Sequence, residues 1–166
     1  MIHHKYFRFS LYMFITLVLL SLFSVFAASN TVSNSYLDVD DFPITANDLK
    51  PSECNGINLV NIRAGDGTNA NDLILGSAGG DNLNAQGGND CILGGDGGDR
   101  LRGASGADII LAGAGNDILI GNRGNDVLYG QSGDDELRGG RQTDICDGGS
   151  GTDTSDGTCE TELNIP

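Results

Sequence analysis

The sequence predicts an all-β chain wound as a repeat solenoid, and three observations predict it. Asp recurs at every ninth position without slip, ten times: Asp72, Asp81, Asp90, Asp99, Asp108, Asp117, Asp126, Asp135, Asp144 and Asp153. Two residues after each Asp stands Ile74, Leu83, Ile92, Leu101, Ile110, Leu119, Leu128 or Leu137, then Cys146 and, out of pattern, Ser155. The 26 Gly all lie at or after Gly56. Eight of them stand two residues before an Asp, with Ala70 and Gln142 as the exceptions, and the fourth residue after each Asp is Gly or Ala. A fixed period of this kind marks small units that bury a core only by stacking on one another. A solvated Gly-rich coil has no need of an aliphatic residue at every ninth place.

The elements follow in order. Residues 1–28 carry a basic start (Lys5, Arg8) and an apolar run from about Leu11 to Ala28, with Val25-Phe26-Ala27 ahead of a cut after Ala27. This is the pattern of a secretory signal peptide. The run is long for one, so an uncleaved membrane anchor is the rival reading, and only that reading gives the chain a membrane partner. Both put the remainder outside the cytoplasm, and cleavage, the favoured reading, makes it a secreted, extracellular protein. Residues 29–49 form a linker; Asp38-Val39-Asp40-Asp41 within it lacks the Gly and closing Glu of an EF-hand loop. Residues 50–66 are expected to cap the solenoid, 67–158 to form it, and 159–166 to close its far end, because open sheet ends need covers.

Composition narrows the chemistry. The chain has 9 Lys+Arg against 23 Asp+Glu. Removal of residues 1–28 takes away Lys5, Arg8 and both His (His3, His4), leaving seven basic against 23 acidic residues and a charge of −16. A His-dependent triad, an HExxH zinc site and a His-ligated haem are thereby excluded from the processed chain. A nucleic-acid partner is not expected, since so acidic a surface repels polyanions.

The clearest unit is GGDGGDRLR, Gly94 to Arg102. Residues 67–158 resemble the RTX family, the hemolysin-type calcium-binding nonapeptide repeat. The resemblance implies a parallel β-roll of ten nonapeptide repeats: six residues of each unit form a turn, three form a short strand, and two units make one winding. The Asp residues then fall into two columns, Asp72, Asp90, Asp108, Asp126 and Asp144 on one side and Asp81, Asp99, Asp117, Asp135 and Asp153 on the other. Windings lie about 4.8 Å apart, and at that spacing unit charges repel by roughly 3 kcal/mol at an effective dielectric near 20. A hard divalent cation turns that repulsion into coordination, and calcium accepts six to eight oxygens in flexible geometry. The expected ligands are the ten Asp, with turn carbonyls at Gly76, Gly79, Gly88, Gly94, Gly97, Gly103, Gly106, Gly115, Gly121, Gly124, Gly130 and Gly133. Four gaps per column give up to eight Ca2+ sites, those at the edges weaker. The aliphatic core is thin for the length of chain it must order, so folding is expected to depend on the ions.

The residues beside each core position face outward. On one sheet they are Leu73/Leu75, Cys91/Leu93, Ile109/Leu111, Val127/Tyr129 and Ile145/Asp147; on the other they are Asn82/Asn84, Arg100/Arg102, Ile118/Ile120, Glu136/Arg138 and Thr154/Asp156. The apolar face calls for a cover. The leading segment is favoured for it, through Tyr36, Leu37, Phe42, Ile44, Leu49, Ile57, Leu59, Val60 and Ile62; self-association is the alternative. Four Cys in an extracellular chain suggest two disulfides with three pairings open. Cys146 with Cys159 would staple the last winding, and Cys54 with Cys91 would tie the leading segment to the roll. The function expected is that of a secreted, non-catalytic calcium-binding protein. Enzymes of this family carry separate catalytic domains, and only residues 29–66 precede the roll. A calcium-dependent adhesion or acidic-polysaccharide-binding module, using Arg100, Arg102 and Arg138, is the alternative.

Overall fold

The computed structural model describes residues 45–165. The segment expected as a signal peptide, and the linker up to residue 44, lie outside the described residues. Among those described, no helix is long and apolar enough to cross a membrane.

The chain opens with a short helix α1 (Ala46–Leu49) and a 3-10 turn (Ser52–Cys54), then runs through strands β1 (Asn61–Ala64), β2 (Asp72–Leu75), β3 (Asn82–Asn84), β4 (Cys91–Asp96), β5 (Arg100–Ser105), β6 (Ile109–Ala114), β7 (Ile118–Arg123), β8 (Val127–Ser132), β9 (Glu136–Arg141), β10 (Ile145–Ser150), β11 (Thr154–Ser155) and β12 (Thr161–Leu163). Successive repeat strands alternate between two sheets, ordered β1-β2-β4-β6-β8-β10-β12 and β11-β9-β7-β5-β3, and every pairing is parallel. The fold is an all-β parallel β-roll. In the first sheet Ile74, Ile92, Ile110, Leu128 and Cys146 align as one column. In the second, Leu83, Leu101, Leu119 and Leu137 align as another. The register advances eighteen residues per winding, because each nine-residue unit crosses from one sheet to the other.

Period-two alternation within each short strand sends the middle side chain inward. The two columns therefore meet as one continuous core, in which all nine of these residues are buried together with Ala85 and Ala112. At its ends the first column runs into charge: Arg63 pairs with Ile74 and Glu162 with Cys146. Charged side chains in the core register of terminal strands discourage further strands from adding there.

A lid covers part of the outward apolar face. Ala46, Cys54, Ile57 and Leu59 are buried against Leu73, Cys91 and Leu111, with Leu75, Leu93, Ile109 and Tyr129 packed at the margin. The lid is tied within itself by Asn47, whose amide group donates to the Leu59 carbonyl oxygen and accepts from the Leu59 N–H, both at 2.8 Å. Leu49, Val60 and Ile62 remain exposed instead of joining this cluster; Tyr36, Leu37, Phe42 and Ile44 lie outside the described residues. The disulfides join Cys54 to Cys91 and Cys146 to Cys159. The first pins the lid to β4, and the second closes the far end of the roll.

Candidate metal centre

Each repeat Asp sits at the foot of its strand, where the chain leaves a turn and enters a sheet. Nine of the ten are at most 2% exposed, and Asp81 is half-buried. Stacking brings them into the two columns expected, joined by a ladder of hydrogen bonds. The backbone N–H of each Asp donates to Oδ1 of the Asp one winding on, at 2.7–2.9 Å: Asp72 to Asp90, Asp90 to Asp108, Asp108 to Asp126 and Asp126 to Asp144 in one column. Asp81 to Asp99, Asp99 to Asp117, Asp117 to Asp135 and Asp135 to Asp153 form the other.

This ladder uses one carboxylate oxygen and leaves the other. Oδ2 of Asp90, Asp99, Asp108, Asp117, Asp126, Asp135, Asp144 and Asp153 is buried with no hydrogen-bond partner. A buried carboxylate oxygen without a donor or counter-charge is costly. Burial accordingly pushes the Asp108 carboxyl up to about 8, Asp90 up to about 7, and Asp126 and Asp135 up to about 6. It raises Asp99, Asp117 and Asp144 in the same direction. Neighbouring carboxylates add to the rise at Asp90, Asp99, Asp108, Asp126 and Asp135, while the ladder N–H opposes it.

The glycines frame these oxygens. Gly76, Gly94, Gly103, Gly121 and Gly130 stand five residues before an Asp, where carboxylate and carbonyl oxygens crowd the backbone. A Cβ on Gly121 would meet Asp126 Oδ2 and, at 2.6 Å, the Gly139 carbonyl oxygen. Gly88, Gly97, Gly106, Gly115, Gly124 and Gly133 stand two residues before an Asp and take positive φ. At Gly106 (φ +131°) a Cβ would overlap the Gly88 carbonyl oxygen of the preceding winding. Gly79 has the same place in its unit without the positive φ. Gln142 replaces glycine at this place and still adopts φ +84°.

The donor set suits one class of metal. Among the described residues no three His, Cys, Asp or Glu side chains converge, and the Cys are all in disulfides. Carboxylate oxygens, with backbone carbonyls beside them, are what each turn offers. Such all-oxygen donors fit a hard cation of flexible coordination, which is the character of calcium.

Several contributors escape the nine-residue frame. Thr68 and Ser77 hold Asp72 and Asp81: their N–H and hydroxyl groups both donate to Oδ2, at 2.6 and 2.7 Å for Thr68 and 2.7 and 2.9 Å for Ser77. Glu160 ends one column, its Oε2 accepting the Asp144 N–H at 2.6 Å. A second ladder of opposite direction runs alongside the first. Side-chain oxygens of Asn71, Asn89, Asn116, Asn125 and Asp134 accept the N–H groups of Asn89, Ala107, Asp134, Thr143 and Thr152 one winding on, at 2.8–3.1 Å. The sequence signal for it is Asn directly before the repeat Asp in four units. Gly139, Gly148 and Gly151 share the roles of the glycines named above.

A family model described as the RTX calcium-binding nonapeptide repeat (4 copies) matches residues 66–101, 93–128 and 120–154, together more than half of the chain. The chain belongs to this family. Neither the curated proteins nor the solved structures give a match. RTX repeats bind Ca2+, and the buried, stacked carboxylates of this roll are in keeping with that chemistry.

Proposed function

We propose that this RTX protein is a secreted, non-catalytic calcium-binding protein whose roll folds around its ions. The observation that carries the reading is the set of eight buried, unpartnered carboxylate oxygens in two columns. Asp90, Asp99, Asp108, Asp117, Asp126, Asp135, Asp144 and Asp153 would hold the metal, with turn carbonyls of the neighbouring glycines, in the gaps between them, three per column and up to six sites in all. Calcium would supply positive charge where burial and mutual repulsion otherwise penalise ionised carboxylates. Asp72 and Asp81 already have protein donors at Oδ2 and contribute chiefly through the ladder. Two disulfides and the leader-like first segment support export. The test is circular dichroism of the chain in chelator and in calcium. A gain of β-structure on calcium addition supports folding on binding; identical spectra would remove it.

One observation favours a second reading, an acidic-polysaccharide-binding role. Arg100, Arg102, Arg123, Arg138 and Arg141 line a groove of about 860 Å³ on the five-stranded sheet. They are five of the seven basic residues beyond residue 28, gathered on an otherwise acidic protein. Glu136 pairs with Arg138. Such a cluster suits a carboxylated or sulfated glycan, met in extended form. Retention on an alginate or pectin matrix that is lost when Arg102 and Arg141 become Ser would support it; no retention would exclude it. Self-association through the apolar face has less support, because the lid buries much of that surface.

A further inference from the structure

We propose that the first winding is a metal-independent template, in which the hydroxyls of Thr68 and Ser77 take the role that cations take in the later windings. The proposal rests on the calcium reading of those later windings and concerns where ion dependence begins.

The two kinds of turn differ at one residue, four positions before the Asp. In the first winding it is Thr68 and Ser77, and each gives Oδ2 of its Asp two donors. The same hydroxyls accept the N–H of Ala70 and Gly79, both at 3.2 Å, closing a small side-chain turn. In the later units the residue is Gln86, Gly95, Ala104, Gly113, Asn122, Gln131, Gly140 or Gly149, and none carries a hydroxyl. All eight have positive φ, whereas Thr68 and Ser77 do not. The carboxylates follow this division: Oδ2 is satisfied at Asp72 and Asp81 and unpartnered at the other eight. A hydroxyl and an N–H together satisfy an ionised carboxylate oxygen without metal.

Other contacts hold the same edge without ions. Asn61 Nδ2 donates to Asp72 Oδ1 at 2.6 Å, and β1 pairs along the whole of β2. The lid packs on Leu73, and Cys54–Cys91 ties it to the next strand. The far end is built differently: its column ends on Glu160, another acid. The roll thus has a polarity, with a self-sufficient edge at its start and carboxylates that need counter-charge toward its end.

Residue-resolved hydrogen exchange of the full chain, disulfides intact, tests this. In chelator the Thr68 and Ser77 amides are expected to exchange at least about tenfold more slowly than those of Asp108, Asp117 and Asp126. The double substitution Thr68→Gly and Ser77→Gly, which copies Gly95 and Gly113, is expected to abolish that protection in chelator and to regain it in calcium. Thr68→Ser, which keeps the hydroxyl, is expected to leave it in place. Exchange at Thr68 and Ser77 as fast as at Asp117 in chelator would overturn the proposal, as would protection that survives the double substitution. Slow exchange along the entire roll in chelator would instead remove the calcium reading on which it rests.

Discussion

The first winding and the four that follow are written in the same nine-residue unit, yet they set the same carboxylate in different surroundings. In the first, β2 and β3 are four and three residues long and their turns use side-chain hydroxyls. In the rest, β4 to β10 each reach six residues, the turn residues take positive φ, and Oδ2 lacks a protein donor. The difference teaches that the repeat specifies where a carboxylate goes, while the residue four places earlier decides whether the protein itself gives Oδ2 its donors. A solenoid whose units each meet only their neighbours can carry this change at one end without disturbing the core register.

The largest expected effect is on the later windings alone. Chelation should abolish exchange protection across residues 100–150 and spare the edge near Thr68, measured by mass-resolved hydrogen exchange. Loss of both together would erase the contrast.

Reduction of the disulfides probes it from the covalent side. The chain-entropy model gives about 4 kcal/mol for the Cys54–Cys91 separation of 37 residues and about 3 kcal/mol for the 13 of Cys146–Cys159. Opening the first by Cys54→Ala with Cys91→Ala should therefore cost more, and should strip the chelator-resistant edge, as read from denaturant midpoints in chelator.

Glycine substitutions sharpen the comparison further. Gly106→Ala forces a Cβ onto a carbonyl oxygen at positive φ and should destabilise the calcium-loaded roll by about 2–3 kcal/mol. Gly79→Ala has the same place in its unit, but φ there is ordinary and the nearest neighbour, the Ser77 hydroxyl, is 4.0 Å away. It should change stability by less than about 0.5 kcal/mol. Equal effects in thermal melts would show that the two turns do not differ as described.

The last prediction concerns pH. Asp90 and Asp108 have folded pKa values raised to about 7 and about 8 from 3.8. A raised folded pKa means that protonation stabilises the metal-free roll, fully below about pH 4, and that this support is lost as pH rises through 7 to 8. The metal-free later windings should thus be firmer at pH 5 than at pH 8. Calcium, which competes with those protons, should bind more weakly at pH 6 than at pH 8. Calcium titrations at the two pH values check the sign.

Much of this architecture was legible in the residues. A nine-residue period with one aliphatic position per unit marks a stacked repeat, the resemblance to RTX repeats implies a coil of two sheets, and the buried columns from Ile74 to Cys146 stand where the two together put them. The covered apolar face and both disulfides were legible in part, since Cys91 lies among outward apolar residues that need a lid. Which lid residues bury was not: Ile57 and Leu59 do and Val60 and Ile62 do not, because the segment has no periodicity to set a face. Thr68 and Ser77 pass for ordinary polar turn residues until their hydroxyls are seen on Oδ2. Glu160 lies sixteen residues after Asp144, out of frame, so counting by nine misses it.

Calorimetric titration of the metal-free chain with calcium, with the number of bound ions counted, tests the central claim most directly. Saturable binding of several ions and at most six, lost on charge-neutral replacement of Asp108 and Asp117 by Asn, is the predicted result. A chain that binds no calcium while keeping its two columns of carboxylates buried would contradict it.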